Sequence, residues 1–388
     1  MDEAPHLMIV AGEVSGDMHA ASLVRELKRL QPGLRLTGIG GPALAAHGMT
    51  LHYHIRDMAV LGLWEVLKRY LFFRRVFRDM IRRAEHDRPH AVLLVDYPGF
   101  NLRLARELHR RRIKILYYVC PQVWAWHRSR IPAMAATLNR LLVIFPFEVD
   151  VFKDTSLPVD YVGHPLVDEI RHTLATPPAP LPQPELTPVA LLPGSRRQEI
   201  ERLLPPMLDA AAELDRTRPG LVFHVAVASD EAAEWCRHAL DRQPESRRPR
   251  HLHFLTGKTR DILRHARAAW VASGTATLET ALLDCPMIVV YRTAWLTYEV
   301  GRRLIKVPHL GMVNLIAGKE ACPELLQHDA TGPNLATAIL PLLDDTPQRA
   351  TMLTDLARVR DLLGEGGAAR NAAAIIQHEL TAPARSPS

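Results

Sequence analysis

Short apolar runs of strand length alternate with amphipathic stretches of helical period along most of the chain. The runs His6–Ala11, Ala91–Val95 and Leu141–Ile144 are of this kind, and helical stretches separate them. Apolar runs that do not alternate with polar residues are typical of strands buried on both faces of a parallel sheet. The pattern therefore predicts an α/β fold in which helices cover both faces of parallel sheets.

A proline-rich stretch divides this alternation into two series. Residues 175–188 contain six prolines, and such a stretch continues neither a helix nor a central strand. We predict two Rossmann-like domains that face each other across a cleft, because ligands of such sheets bind beyond the carboxyl ends of the strands. The predicted segments are an N-terminal domain at residues 1–175, a linker or domain-edge loop at 176–188, a C-terminal domain at 189–363, a last helix at 364–380 and a disordered tail at 381–388.

Composition limits the class of protein. Apolar residues make up 47% of the chain and charged residues 23%, as in soluble globular proteins. No apolar run approaches the roughly 18 residues of a membrane span, and no basic region precedes the first apolar run, so neither a spanning helix nor a signal peptide is expected. Scattered cysteines without CxxC spacing, and histidines without an HExxH pattern, predict a cytoplasmic protein that needs no metal or other cofactor.

The positive charge is concentrated in one segment. Within residues 66–83, lysines and arginines exceed acids by six, which equals the net charge of the whole chain and argues against a nucleic-acid-binding surface. An apolar stripe that includes Trp64, Phe72 and Phe73 accompanies the basic residues. This combination is typical of a helix in an anionic membrane interface, or of one that contacts acyl chains. A core-facing helix with a solvated basic face gives the same pattern.

Two strand-to-helix loops of the second series, Leu191–Arg196 and Ala272–Glu279, have the composition of anion sites. Small residues let backbone N–H groups approach an anion, and the helix N-terminus adds partial positive charge. The Arg196 guanidinium suits phosphate oxygens, and the Glu279 carboxylate can accept ribose hydroxyls. Ordinary helix capping is the alternative for each single loop, but together the loops predict a nucleoside diphosphate site. Its candidate residues are Arg196, Ser273, Gly274, Thr275, Glu279 and Asn314.

The first series lacks a GxGxxG loop, which argues against a dinucleotide oxidoreductase. Its first loop carries Glu13, Ser15 and Asp17, which either bind a sugar or phosphate or, in the case of Asp17, cap the next helix. Asp96 ends a buried strand, where partial burial would raise its pKa enough to accept a proton from a sugar hydroxyl; capping is again the alternative. Trp124 would stack on a sugar, line an acyl groove or pack in the core.

Motifs spread over nearly the whole chain, in this order, resemble the lipid-A-disaccharide synthases, a glycosyltransferase family of the GT-B type. The motifs are Gly12–Asp17, Ile39–Pro42, Met58–Leu67, Asp96–Asn101, Pro121–Trp126, Phe145–Glu148, Val162–Pro165, Leu191–Arg196, Ser273–Glu279 and Asn314–Gly318. The strings Gly12–Asp17 and Pro121–Trp126 are the specific ones, whereas the phosphate-type loops occur in many GT-B enzymes. The chain departs from the family at Cys120, where Ser is frequent, and at His127, where Arg is common. The resemblance implies a GT-B fold whose last helix returns to the N-terminal domain.

The resemblance also implies a reaction and partners. It implies inverting, metal-independent transfer of 2,3-diacylglucosamine from UDP to 2,3-diacylglucosamine 1-phosphate (lipid X), which forms lipid A disaccharide 1-phosphate and UDP. Asp96 is the implied base, with Glu13, Ser15 and Asp17 on the acceptor side. A peripheral enzyme on the cytoplasmic face of the inner membrane, bound through residues 63–83, is implied, as is a homodimer that exchanges C-terminal segments. The further acceptor or lipid contacts expected are Trp64, Phe72, Phe73 and Trp124.

Other functions remain open on the same fold. One is a UDP-N-acetylglucosamine 2-epimerase or a MurG-like transferase, which would use unacylated UDP-N-acetylglucosamine. Another is a non-catalytic nucleotide-sugar sensor, which would bind UDP and form no product. The apolar stripe around Phe72 and Phe73 argues against the unacylated substrates.

Overall fold

The computed structural model describes residues 4–58, 70–294, 298 and 307–381. The chain forms two compact units, one comprising Met1–Pro165 and Glu365–Ser388, the other Leu166–Gly364. The division falls after Pro165, ahead of the sequence-based domain end at residue 175. Residues 176–188 lie in the second unit, where Ala179 N donates to the Asp261 carboxylate at 2.8 Å.

The first unit is built on a parallel sheet in which the described residues form seven strands, in the order β3-β2-β1-β4-β5-β6-β7. The reversal of strand order between β1 and β4 is the topological switch point, where α/β sheets bind ligands. In chain order the strands are β1 His6–Ala11, β2 Arg35–Gly40, β3 Thr50–His54, β4 Ala91–Val95, β5 Ile115–Tyr118, β6 Arg140–Val143 and β7 Val159–Tyr161. The accompanying helices are α1 Val14–Leu30, α2 Pro42–Ala46, α3 Ile55–Met58, α4 Tyr70–Asp87, α5 Pro98–Arg110, α6 Val123–Trp126, α7 Ile131–Thr137 and α8 Glu148–Val151.

The second unit repeats this plan with six described strands in the order β10-β9-β8-β11-β12-β13. Its switch point lies between β8 and β11. The strands are β8 Thr187–Leu192, β9 Leu221–Val227, β10 Leu252–Thr256, β11 Ala268–Ala272, β12 Met287–Tyr291 and β13 Glu324–Leu326. The helices are α9 Pro165–Leu174, α10 Arg197–Thr217, α11 Asp230–Asp241, α12 Thr259–His265, α13 Thr275–Leu282, α14 Met312–Ala317, α15 Gly332–Leu343 and α16 Pro347–Leu363. The predicted α/β fold with two Rossmann-like domains is confirmed.

The last helix, α17 (Ala368–Thr381), packs against the first unit. Alternate residues of β1 point to opposite faces of the sheet, as strand geometry requires. Leu7 contributes to the core on the side of α1 and α17, where Ile376 is fully buried, whereas Met8 contributes to the core on the side of α4 and α5. The Glu379 carboxylate also accepts from Arg140 Nη1 at 2.8 Å. The predicted return of the last helix to the N-terminal domain is confirmed.

Helix α4 contains the described part of the basic segment. Helix α4 begins at Tyr70 among the described residues and buries Val76 and Met80 against the sheet. Tyr70 and Leu71 remain exposed. Trp64 lies outside the described residues, as does the rest of the predicted segment 63–83 up to residue 69.

Candidate active site

The loops that follow β1 and β4 leave the first sheet side by side. Ala11 pairs with Val95 in the parallel ladder, so Glu13 and Asp96 follow neighbouring strands at the switch point. Burial, and to a smaller extent the nearby Glu13 carboxylate, raises the pKa of Asp96 to about 6. Glu13 itself is exposed. The structure thus brings these two predicted acids together, with one of them tuned to take up a proton near neutral pH.

The backbone at Asp96 is held in an unusual conformation. Asp96 and Tyr97 have φ values of 46° and 50°, in the left-handed region that non-glycine residues seldom adopt. The Asp96 carbonyl accepts hydrogen bonds from the buried Asn101 Nδ2 at 2.7 Å and from the Tyr117 hydroxyl at 2.6 Å. These contacts fix the strained turn at the end of β4. The sequence assigned no role to Asn101 or Tyr117.

Glycine at position 12 lets the two loops meet. A Cβ atom there would lie 2.3 Å from the Tyr97 ring, so the aromatic side chain can only lie against this loop because Gly12 has none. Burial raises the pKa of Tyr97, as does the Glu13 charge. Gly12 is therefore a packing requirement of the site.

Asp17 and Ser15 occupy different environments. The buried Asp17 carboxylate accepts hydrogen bonds from the backbone amides of Gly41, Ala43 and Leu44 at 2.7, 3.0 and 3.3 Å. Asp17 therefore caps α2, which begins at Pro42. The sequence had suggested a capping role for Asp17 only at the helix that directly follows it. Ser15 is exposed in the first turn of α1.

A cavity of about 1020 Å³ adjoins this edge of the first unit. Its lining is mostly aromatic and aliphatic and includes Phe73, Phe77 and Tyr97, while Glu13 reaches it from the loop after β1. Phe72 packs beside the cavity residue Phe73, with ring centroids 5.8 Å apart. A pocket of this size and character suits the hydrocarbon part of an amphiphile.

Trp124, in the loop of the Pro121–Trp126 motif, is buried and has a structural role. Only 6% of its surface is exposed, and its indole Nε1 donates to the Glu148 carboxylate at 3.0 Å. The other Glu148 oxygen accepts from Phe145 N at 3.1 Å. Burial raises the pKa of Glu148 to about 8. The exposed aromatic residue of the loop is Trp126, so Trp124 orders the loops after β5 and β6 and is shielded from a ligand.

The two predicted anion loops of the second unit are also neighbours. Leu192 pairs with Val271, so the loops that begin at Pro193 and Ser273 leave adjacent strands at the second switch point. Arg196 is the N-cap of α10, and 83% of its side chain is exposed. The amides of Ser195 and Arg196 donate to the Glu199 carboxylate at 3.2 and 3.3 Å, in a capping box. The sequence predicted that the amides of this loop would bind an anion, but it did not predict that the Glu199 carboxylate would occupy them.

Glu279 is held by a residue that the sequence did not single out. Arg260 Nε donates to Glu279 at 2.7 Å, while Arg260 Nη2 donates to Glu169 at 2.6 Å. Ser273 Oγ donates to the Leu310 carbonyl at 2.8 Å, which ties the second loop to the loop before α14. Thr275 is exposed at the first position of α13, directly after Gly274 at the N-cap.

Asn314 makes all its hydrogen bonds within the protein. Its Nδ2 donates to the Cys322 carbonyl and to the Glu324 carboxylate, and its Oδ1 accepts from the amides of Ala321 and Cys322. Glu324 in turn accepts from the amides of Leu310 and Gly311, both at 2.9 Å. The side chain is fully buried, so it shapes this loop from within.

The described residues contain neither a preformed metal cluster nor a membrane-spanning helix. No cluster of three or more His, Cys, Asp or Glu side chains there is arranged to hold a metal ion. Within the same residues, no helix has the length and apolarity that a bilayer span requires.

The chain resembles proteins of known name over its full length. A family model described as lipid-A-disaccharide synthetase matches residues 7–378. The lipid-A-disaccharide synthase of Geobacter metallireducens is 39% identical over 386 residues, 98% of this chain and 99% of the relative. That of Syntrophus aciditrophicus is 40% identical over 370 residues, 95% and 96% of the two chains. The solved UDP-GlcNAc 2-epimerase of Neisseria meningitidis bound to UDP-GlcNAc aligns with a TM-score of 0.62 at 12% identity, over 96% of this chain and 98% of that one, a likeness of fold alone.

Proposed function

The chain belongs to the lipid-A-disaccharide synthase family, and from this premise we propose that Asp96 is the base of its glycosyl transfer. The enzyme is a glycosyltransferase of lipid A disaccharide synthesis, and its substrates are a nucleotide sugar and a lipid-linked sugar. The specific substrates we propose are UDP-2,3-diacylglucosamine as donor and 2,3-diacylglucosamine 1-phosphate as acceptor. The products are then lipid A disaccharide 1-phosphate and UDP.

The observation that carries this proposal is the position of Asp96 at the switch point of the first sheet, with a pKa of about 6. A carboxylate with this pKa is ionised at neutral pH and more basic than an ordinary aspartate, which suits a general base. In the proposed step, Asp96 takes the proton of the acceptor 6-hydroxyl while the oxygen attacks the anomeric carbon of the donor. The bond from that carbon to the UDP oxygen breaks, and the configuration inverts.

The leaving UDP is proposed to be stabilised by the second unit. Arg196 offers an exposed guanidinium, and the Ser273–Thr275 loop offers the N-terminus of α13. The Glu279 carboxylate, oriented by Arg260, is proposed to accept the ribose hydroxyls. In this scheme Asn314 does not contact UDP. It supports the loop before α14, because it donates to Glu324, which holds the amides of Leu310 and Gly311.

The cavity of the first unit is proposed to take an acyl chain. Phe73 and Phe77 line it, and the exposed Tyr70 lies at the start of the same helix. We further propose that α4, with the adjoining part of the basic segment at residues 63–83, binds the cytoplasmic face of the anionic inner membrane. A homodimer that exchanges C-terminal helices would make the α17 contacts described above between two copies.

The decisive experiment incubates purified protein with both acylated substrates in EDTA and follows the disaccharide by mass spectrometry. We expect wild-type protein to form the disaccharide and release one UDP for each disaccharide. Efficient consumption of unacylated UDP-N-acetylglucosamine would instead support the epimerase or MurG-like alternative. UDP binding without product from the acylated substrates would support the sensor.

A further inference from the structure

Three arginines from three different helices line the large cavity of the first unit. Arg56 lies in α3, Arg74 near the start of α4 and Arg103 in the second turn of α5. All three are exposed, and none forms an ion pair with a carboxylate of the described part of the chain. They therefore present three guanidinium groups around one apolar space.

Neighbouring arginines on the same helices behave differently. On α4, Arg82 and Arg83 bind Asp79 at 3.0 and 2.7 Å. On α5, Arg110 binds Glu107 at 2.6 Å. What sets the cavity arginines apart is their position at the cavity, and a fork of guanidinium donors is suited to an anion with several oxygens.

The acids of the cavity do not neutralise this group. The Asp17 carboxylate is occupied by three backbone amides of the α2 N-terminus. Glu13 forms no ion pair with these arginines among the described residues, and its charge acts on Asp96, whose pKa it helps to raise. The imidazole of His54 also lines the cavity, and its Nδ1 accepts from Arg56 N at 3.0 Å, which positions that arginine.

The apolar residues of the cavity indicate that the ligand also has a hydrocarbon part. Val14 and Met18 of α1 are 67% and 57% exposed although they are apolar, and they face the same cavity as Phe73 and Phe77. An apolar space with a cationic border is complementary to an amphiphile with an anionic head.

We infer that Arg56, Arg74 and Arg103 bind the phosphate monoester of the acylated acceptor sugar, and so select a phosphorylated acceptor. This inference rests on the proposed function, because it assigns the cavity to the acceptor. A phosphate monoester carries close to two negative charges at neutral pH and three acceptor oxygens, which matches a set of guanidinium groups that line one cavity.

The test compares two acceptors, 2,3-diacylglucosamine 1-phosphate and the same sugar without phosphate, in neutral detergent micelles. Wild-type protein should prefer the phosphorylated acceptor. Arg103→Gln should lower kcat/KM for that acceptor by about tenfold, which corresponds to about 1.4 kcal/mol, through KM. The phosphate-free acceptor has no group for this guanidinium to bind, so its kcat/KM should change less than twofold, which corresponds to about 0.4 kcal/mol or less. Arg74→Gln should act in the same way, and Arg103→Lys should restore part of the preference.

The matched control is Arg106→Gln. Arg106 is exposed on the same helix, one turn further along, and does not line the cavity. We expect this variant to keep the wild-type preference. Equal losses with both acceptors in Arg103→Gln, or an equal effect of Arg106→Gln, would overturn the inference.

A second arm separates the acceptor phosphate from anionic lipid as the bound group. The same assays are repeated on vesicles of neutral and of anionic phospholipid. A defect of Arg103→Gln that appears only on anionic vesicles, and equally for both acceptors, would assign the arginines to the membrane and overturn the inference. Failure of the proposed function would look different, since wild-type protein would then form no disaccharide from either acceptor.

Discussion

Asp96 combines a left-handed backbone, partial burial and a neighbouring carboxylate, three features that each cost folding free energy. Such costs are common where a side chain is tuned for chemistry. The sequence could predict the position of Asp96 at the end of a buried strand. It could not predict the backbone angle or the supporting bonds from Asn101 and Tyr117, because these depend on contacts between segments that fold together only in three dimensions.

We predict that Asp96→Asn lowers kcat by about 100-fold to 10,000-fold, the usual contribution of a general base. Asn is the suitable replacement, because it tolerates the left-handed backbone that position 96 requires. UDP binding should be unchanged, since the proposed UDP residues belong to the second unit. Steady-state kinetics and UDP titration test both statements, and wild-type turnover in the variant would exclude Asp96 as the base.

The same substitution should stabilise the fold above the acidic range. The folded protein holds a proton on Asp96 up to about pH 6, whereas an unfolded aspartate releases it near 3.8. Wild-type stability from this group therefore falls as pH rises between these values and stays reduced above them. We expect the melting temperature of Asp96→Asn to exceed that of wild type at pH 7.5, with a smaller difference at pH 4. Equal differences at both pH values would contradict the linkage.

Glu13→Gln tests the electrostatic coupling between the two acids. Removing the Glu13 charge should lower the pKa of Asp96, so the acid limb of kcat/KM against pH should move to lower pH. Any loss of acceptor contact would change the height of the profile and leave this direction intact. An acid limb that stays in place, or moves to higher pH, would show that Glu13 does not act on Asp96.

At the scale of elements, the buried central strands were predictable, whereas three of the four edge strands were not. Strands such as β1 and β4 are buried along their whole length and so appear as continuous apolar runs. The strands β3, β7 and β13 lie at sheet edges, are only partly buried and contain polar residues, so the sequence did not predict them. Helix α1 likewise begins at Val14, inside the predicted loop, because no residue of that loop prevents a helical turn.

The exposed face of α4 gives a prediction about membranes. Leu71 is 75% exposed, and the helix carries several arginines beside it. We expect Leu71→Ser to weaken binding to anionic vesicles by roughly tenfold, since burial of a leucine side chain contributes about 1.5–3 kcal/mol. Added salt should weaken wild-type binding. Leu30→Ser, which alters an exposed leucine of α1, is the control, and vesicle sedimentation is the measurement; equal effects of the two would argue against a membrane role for α4.

The N-terminus of α10 gives a prediction about UDP. A ligand at 100 times its Kd stabilises a protein by about 2.7 kcal/mol, so UDP should raise the melting temperature of wild type, with EDTA present. Arg196→Ala should remove most of that shift. Arg197→Ala is the matched control, because both arginines are exposed and each pairs with a glutamate of its own helix, Arg196 with Glu199 at 3.1 Å and Arg197 with Glu201 at 2.8 Å. A UDP shift that survives Arg196→Ala and disappears in Arg197→Ala would reverse the assignment.

At the scale of the whole molecule, the first unit is completed by the last helix. Ile376 is fully buried against the first sheet, whereas its neighbour Ile375 is only partly buried. We expect Ile376→Ala to lower the free energy of unfolding of this unit by about 2–5 kcal/mol, the usual cost of such a truncation in a core. Ile375→Ala should cost less, as measured by urea denaturation. Equal costs would mean that α17 is held mainly by the ion pairs of Glu379 with Arg140 at 2.8 Å and with Lys114 at 3.5 Å.

The docking of α17 has a consequence for the order in which the protein matures on the ribosome. Translation completes the second unit while the first unit still lacks α17, the helix that covers part of one face of its sheet. At about 5–20 residues per second, the unfinished apolar surface stays uncovered for on the order of tens of seconds. During this interval the nascent chain is a substrate for chaperones, and ribosomes that stop between the end of the second unit and residue 368 release a protein whose second unit is complete and whose first unit is not.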